Sequence, residues 1–275
     1  MVTQEALLSL RHICKAYGSV QALDAVDFDV YPSEVVALVG DNGAGKTTLV
    51  KVIAGAHKPD HGDIFFDGKP HHFDTPSAAK QVGIEVVYQN LGLIENLSIA
   101  ANVFLHREPR LKLLNRVDTP FMNFRDMNVR TRTMLERYNV SIDSPKRLVS
   151  KLSGGQRQLV AIARGAGWGS RLLVMDEPTA ALGIQESRKV LDLVHHLKDQ
   201  GVSVVIVSHN LEHVFEVADR ITVLRRGQVA GSVRADVSTA SDVVHLITGA
   251  AEVGKGKAVV NAEIAALAAE RQRKV

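Results

Sequence analysis

Three short, nearly unbroken apolar runs punctuate the chain: Val35–Val39, Leu172–Met175 and Val202–Val207. Valine-rich runs of this length without polar alternation read as strands buried on both faces, the pattern of a parallel sheet. A polar or glycine-rich turn and then helix-like sequence follow each run, which predicts a βα rhythm and an α/β fold. A second pattern surrounds them. Ala6–Ile13, Val20–Val30, Asp63–Phe73 and Ile221–Val233 carry β-branched and aromatic residues. With turns at Asp67-Gly68 and Arg226-Gly227, they predict antiparallel strands. From about residue 90 to 165 the apolar spacing becomes helical without strong strands, so an inserted helical subdomain is expected there.

Composition narrows the class. The 275 residues are 45% hydrophobic and 23% charged, which excludes a disordered chain and leaves room for one large domain with an insertion. Cys14 is the single cysteine, so neither an intrachain disulfide nor a cysteine metal cage is available. The longest apolar run, Ile264–Ala269, falls far short of the roughly 20 residues that cross a bilayer, and Arg11 and His12 interrupt any leader-like core. The net charge of +3 gives little support to a nucleic-acid partner. Residues 106–147 alone carry +5, which fits solvated helix faces or a surface toward an anionic partner or headgroups. The domain is expected to span 1–250, with a tail at 251–275 in which Asn261 caps a short helix ending in Arg271, Arg273 and Lys274.

The chemistry lies at the ends of the apolar runs. Gly40-Asp41-Asn42-Gly43-Ala44-Gly45-Lys46-Thr47 follows the first run and matches the phosphate-loop pattern. Its backbone N–H groups converge on phosphates, and the helix opening at Thr47 and Thr48 adds its positive end. Lys46 is expected on the β- and γ-phosphates and the Thr47 hydroxyl on Mg²⁺. The second run ends in Asp176 and Glu177. An acid at the strand end suits the Mg²⁺ shell, and the next one is placed to polarise water. Leu152-Ser153-Gly154-Gly155-Gln156 is a second glycine-rich turn opening a helix. One nucleotide does not need two such ends, whereas two chains facing head to tail would use both. His57, His61, His71 and His72 cluster in sequence, but predicted turns and the lack of supporting ligands argue against zinc there.

With these motifs the chain resembles the ATPase subunits of ABC transporters over nearly its whole length. The resemblance implies a P-loop ATPase core with an antiparallel β subdomain and an inserted helical subdomain. It implies ATP and Mg²⁺ as ligands, with Gly40 to Thr48 and Ser153 to Gln156 binding nucleotide and Lys46, Glu177 and His209 catalytic. Tyr17 matches the aromatic that stacks on adenine. Gln89 matches the glutamine that joins Mg²⁺ and water to the helical region. Thr47, Gln89 and, through water, Asp176 form the expected metal set. One position departs from the family pattern: Ala180-Ala181-Leu182-Gly183 ends in glycine where an aspartate helps couple the two nucleotide sites, which puts that coupling in doubt.

The stretch Tyr88–Leu105 is similar to that of monosaccharide importers of the ribose, xylose and fructose type. Many of those carry two fused ATPase halves, and this chain has one phosphate loop and one signature turn. The resemblance therefore implies a homodimer or a pair with a sister ATPase, at the cytoplasmic face of the membrane. The expected partners are permease subunits and, indirectly, a solute-binding protein, with no nucleic acid. Import of another solute such as an amino acid, and a soluble nucleic-acid-associated ATPase, stay open as alternatives on the sequence alone.

Overall fold

The computed structural model describes residues 5–113 and 117–250. The chain opens with β1 (Leu8–Tyr17), β2 (Val20–Val30), β3 (Val35–Val39), α1 (Lys46–Ile53), β4 (His61–Phe66) and β5 (Lys69–His71). Then come α2 (Pro76–Gln81), β6 (Ile84–Val87), α3 (Ile99–Val103), the hairpin β7 (Arg110–Leu113) and β8 (Val117–Met122), α4 (Phe124–Arg137) and α5 (Gly154–Ala166). It closes with β9 (Leu172–Asp176), α6 (Ile184–Asp199), β10 (Ser203–Val207), α7 (Leu211–Val217), β11 (Arg220–Arg225), β12 (Gln228–Arg234) and α8 (Ala240–Thr248).

Six strands form the central sheet in the order β12-β11-β3-β10-β9-β6, parallel except for the β11–β12 pair. The unbroken apolar runs are explained by burial on both sides. Val35, Ala37, Val39, Leu173, Met175, Val204 and Ile206 enter one core with helices α4 to α7. Val36, Leu38, Leu172, Val174, Val205 and Val207 alternate into a second core. The antiparallel sheet β2-β1-β4-β5 covers that second face through Leu8, Leu10, Ile13, Val26, Phe28 and Ile64. Two residue periods thus yield two cores around one sheet.

Several expectations need correction. The first strand starts at Leu8 and runs on to Tyr17, while β4 and β5 flank the expected Asp67-Gly68 turn. β11 and β12 pair across the expected Arg226-Gly227 turn, but β11 belongs to the central sheet because it pairs in parallel with β3. β6 escaped the hydrophobic pattern because Glu85 interrupts it. That carboxylate is 8% exposed and is matched by Lys80 at 3.2 Å and Arg107 at 3.2 Å. The segment expected to be helical also holds the hairpin β7–β8, whose basic residues obscure any strand alternation. The tail at 251–275 lies outside the described residues.

Candidate nucleotide site

Four parallel strands deliver the candidate residues at their C-terminal ends, where open α/β sheets place ligands. β3 leads into the loop 40–45, β6 into Gln89, β9 into Asp176 and Glu177, and β10 into His209. These converge on a cleft of about 510 Å³ lined by residues 42–48, Gln89, Asp176, Glu177, Ala180, Val207 and His209, with Val20–Ala22 on its flank.

The shape of the loop is set by its glycines. Gly40 has φ 148° and Gly45 φ 106°. A β-carbon on Gly45 would lie 2.5 Å from the carbonyl oxygen of Ala22, and one on Gly40 would strike the carbonyl of Leu224. Only glycine fits either place. Gly45 ends the loop in the left-handed region and gives α1 no side-chain cap, so the first N–H groups of that helix open into the cleft. Inside the loop the Lys46 ammonium donates to the carbonyl oxygens of Gly40 at 2.6 Å and Asp41 at 2.9 Å. Burial pulls its pKa below the usual lysine range, against the opposing pull of Glu177, Asp41 and Asp176.

The two carboxylates at the end of β9 differ in setting. Burial raises the Asp176 pKa, the Glu177 charge raises it further, and Lys46 and Lys51 oppose both. At Glu177 the backbone turns into the left-handed region at φ 52°, fixed by its N–H donating to the Val207 carbonyl oxygen at 2.8 Å. The turn sends the side chain away from Asp176 and toward His209, whose Nδ1 lies 2.9 Å from Glu177 Oε2. The Glu177 side chain is 18% exposed and that of His209 74%, so a shielded carboxylate is paired with a largely exposed imidazole.

Two sequence candidates stand apart from this cleft. The Ser153–Gln156 turn caps α5 reciprocally: Ser153 Oγ accepts from the Gln156 N–H at 3.2 Å, and Gln156 Oε1 accepts from the Ser153 N–H at 3.1 Å. It does not line the cleft of its own chain. Tyr17 stands at the end of β1 paired with Val20, 43% exposed and edge-on to His57 with ring centroids 5.7 Å apart. Its strand partner Val20 lines the cleft, but Tyr17 itself does not. Sequence reasoning missed Val20–Ala22, which carry no motif and reach the cleft only through the β1–β2 turn. Among the described residues no group of histidine, cysteine or acidic side chains is arranged to hold a metal on its own, and His71 stacks on Phe73. No helix among them is long and apolar enough to cross a membrane.

Comparison with known proteins places this architecture. Residues 23–180 match the ABC transporter family. The chain is 46% identical over 252 residues, 91% of its length and 97% of the relative's, to the fructose import ATP-binding protein FrcA of Rhizobium meliloti. It is 43% identical over 242 residues, 88% of its length and 94% of the relative's, to the xylose/arabinose import ATP-binding protein XylG of Sulfolobus acidocaldarius. Against the ribose import ATP-binding protein RbsA 1 of Rubrobacter xylanophilus it is 42% identical over 88% of its own length but spans only 47% of that protein. Among solved structures, a nucleotide-free ATP-binding cassette from an ABC transporter superposes with a TM-score of 0.76 at 27% identity, covering 88% of this chain and 98% of that one. A dimeric post-hydrolysis cassette, MJ0796 with ADP and phosphate, gives 0.69 at 26% identity over 83% and 98%. The match over residues 23–180, the relatives at 42–46% identity and the common fold make this chain a member of the ABC transporter family, an ATP-hydrolysing ATP-binding domain.

Proposed function

We propose that this chain hydrolyses Mg-ATP at composite sites between two ATPase chains and thereby powers import of a monosaccharide through a membrane permease. The observation that carries the chemistry is the single cleft gathering Lys46, Thr47, Gln89, Asp176, Glu177 and His209. The substrate class rests on relatives named for fructose, xylose/arabinose and ribose import. A permease and, behind it, a solute-binding protein are the partners this implies, with the chain peripheral at the cytoplasmic face.

The residues divide the work. The loop N–H groups and the start of α1 receive the phosphates, and the Lys46 ammonium, already inside the loop, meets the charge of the β- and γ-groups. The hydroxyl of Thr47, the amide oxygen of Gln89 and the carboxylate of Asp176 are hard oxygen donors, which suit Mg²⁺, with Asp176 acting through water. Bound there, Mg²⁺ would neutralise phosphate charge. Glu177 aligns the attacking water and accepts its proton, held in place by the exposed His209, whose imidazole contacts the γ-phosphate in the loaded site. Tyr17 stacks on the adenine at the mouth. The Ser153 turn, which does not line its own cleft, completes the site of a second chain.

The test is Glu177→Gln. The amide keeps the shape but accepts no proton, so hydrolysis should fall about 10²–10⁴-fold while Mg-ATP binding persists. An ATP-bound dimer should then accumulate on size-exclusion chromatography. Wild-type turnover in this variant would remove Glu177 as the base. In cells the same variant should stop uptake of one of the three sugars. Unchanged uptake of labelled fructose, xylose and ribose, with another solute lost, would overturn the sugar reading alone.

A further inference from the structure

The loop that follows Glu177 runs across the first turn of α5 before entering α6, and one side chain fills the gap between them. A β-carbon on Gly155, in the first turn of α5, would lie 2.7 Å from Cβ of Glu186 and would strike its Cγ as well. A β-carbon on Gly183, the N-cap of α6, would lie 2.7 Å from Glu186 Oε2. Gly183 itself has φ −70° and ψ 170°, a conformation open to any residue, so its backbone does not require glycine. The Glu186 carboxylate occupies the space that a side chain there would take.

The rest of the loop is anchored. The Glu177 N–H is bonded to Val207, Thr179 Oγ1 lies 3.0 Å from His213 Nδ1, and Leu182 packs against Gly154. Glu186 is different. It sits at the third position of α6, where a carboxylate normally reaches back to the N-cap N–H, yet it makes no hydrogen bond or ion pair with any described residue. Its stem crosses the start of α5 and its charged head rests at the uncapped start of α6, so the positive end of α6 attracts it.

We propose that Glu186 is a positioning residue for ATP hydrolysis. Wedged between the Ser153 turn and Gly183, it makes the loop bearing Glu177 follow any shift of that turn. Because the Ser153 turn serves the other chain's nucleotide, a step that rests on the function proposed above, occupancy of one site sets the base of the other. The carboxylate missing from position 183 is in effect supplied from position 186.

Steady-state ATPase measurements on the full chain, with melting temperatures, test this. Glu186→Ala should lower kcat at least tenfold and leave KM for ATP within twofold, because the residue touches no part of the cleft. Glu186→Gln, which keeps the stem and guards against misfolding of the alanine variant, should show the same split. Adding Gly183→Asp to Glu186→Ala returns a carboxylate to the same place and should restore kcat to within threefold of the wild type. A folded Glu186→Gln turning over within twofold of the wild type overturns the proposal, and so does a double variant no better than Glu186→Ala. Glu177→Gln measured alongside keeps the readings apart, since its failure to lower turnover indicts the base and not the wedge.

Discussion

Asp176 is a buried carboxylate whose charge is costly to the fold and which, in the function proposed, serves Mg²⁺. Its pKa is raised by burial first and by Glu177 second. For an acid with a raised folded pKa, the folded state holds its proton longer than the unfolded chain does. Its contribution to stability is therefore complete below the ordinary aspartate pKa and is lost as the pH rises through the raised folded value. At neutral pH the nucleotide-free Asp176→Asn variant should melt above the wild type, and calorimetry at pH 7.5, a chosen assay condition of about neutral pH, reads this directly. Mg²⁺ should restore the wild type and do nothing for the variant. On lowering the pH, Mg-dependent ATP affinity should start to fall earlier than an ordinary aspartate would dictate.

At the scale of elements, the sheet is stitched to its neighbours by charges far from the chemistry. Arg220, at the start of β11, donates to Glu34 through Nε at 2.8 Å and through Nη2 at 2.9 Å, with side-chain exposures of 15% and 13%. Its second nitrogen also reaches the Asp29 carbonyl oxygen at 2.7 Å. Removing one partner strands the other, so Glu34→Ala should destabilise by about 3 kcal/mol. Replacing both by leucine and methionine should cost much less. Urea titrations of the three proteins, with unchanged KM for ATP, would confirm a structural role. The central strands β3, β9 and β10 were legible because burial on both faces leaves no polar alternation to confuse them. β6 was not, since its Glu85 breaks the apolar run and is neutralised by Lys80 from α2 and by Arg107 beyond α3. The phosphate loop and strand-end acids were readable from local pattern. The left-handed turn at Glu177 and the wedge of Glu186 were not, because φ and cross-element contacts have no local signature.

For the whole molecule, the Ser153 turn does not line its own cleft, which under the function proposed leaves a single chain incomplete. Lys46→Ala and Ser153→Arg should each abolish turnover alone. In a verified mixed dimer one composite site carries both lesions and the other carries neither. Mixing should therefore restore turnover toward half of the wild type, provided that one intact site can work by itself. Verified mixed dimers that remain inactive would count against the head-to-tail arrangement.

The left-handed backbone at Glu177 also bears on how this protein would respond to engineering. A side chain at φ 52° costs about 1–2 kcal/mol against the right-handed regions, and glycine escapes that strain. Glu177→Gly should thus melt above Glu177→Ala, by about 2–4 °C if roughly 1 kcal/mol of strain is relieved in a chain of this size. A library selected only for survival of heating would drift toward glycine at this position and discard the proposed base before any core residue. Thermal robustness and turnover compete here at one dihedral angle, so a stabilised variant should be bred with turnover in the screen.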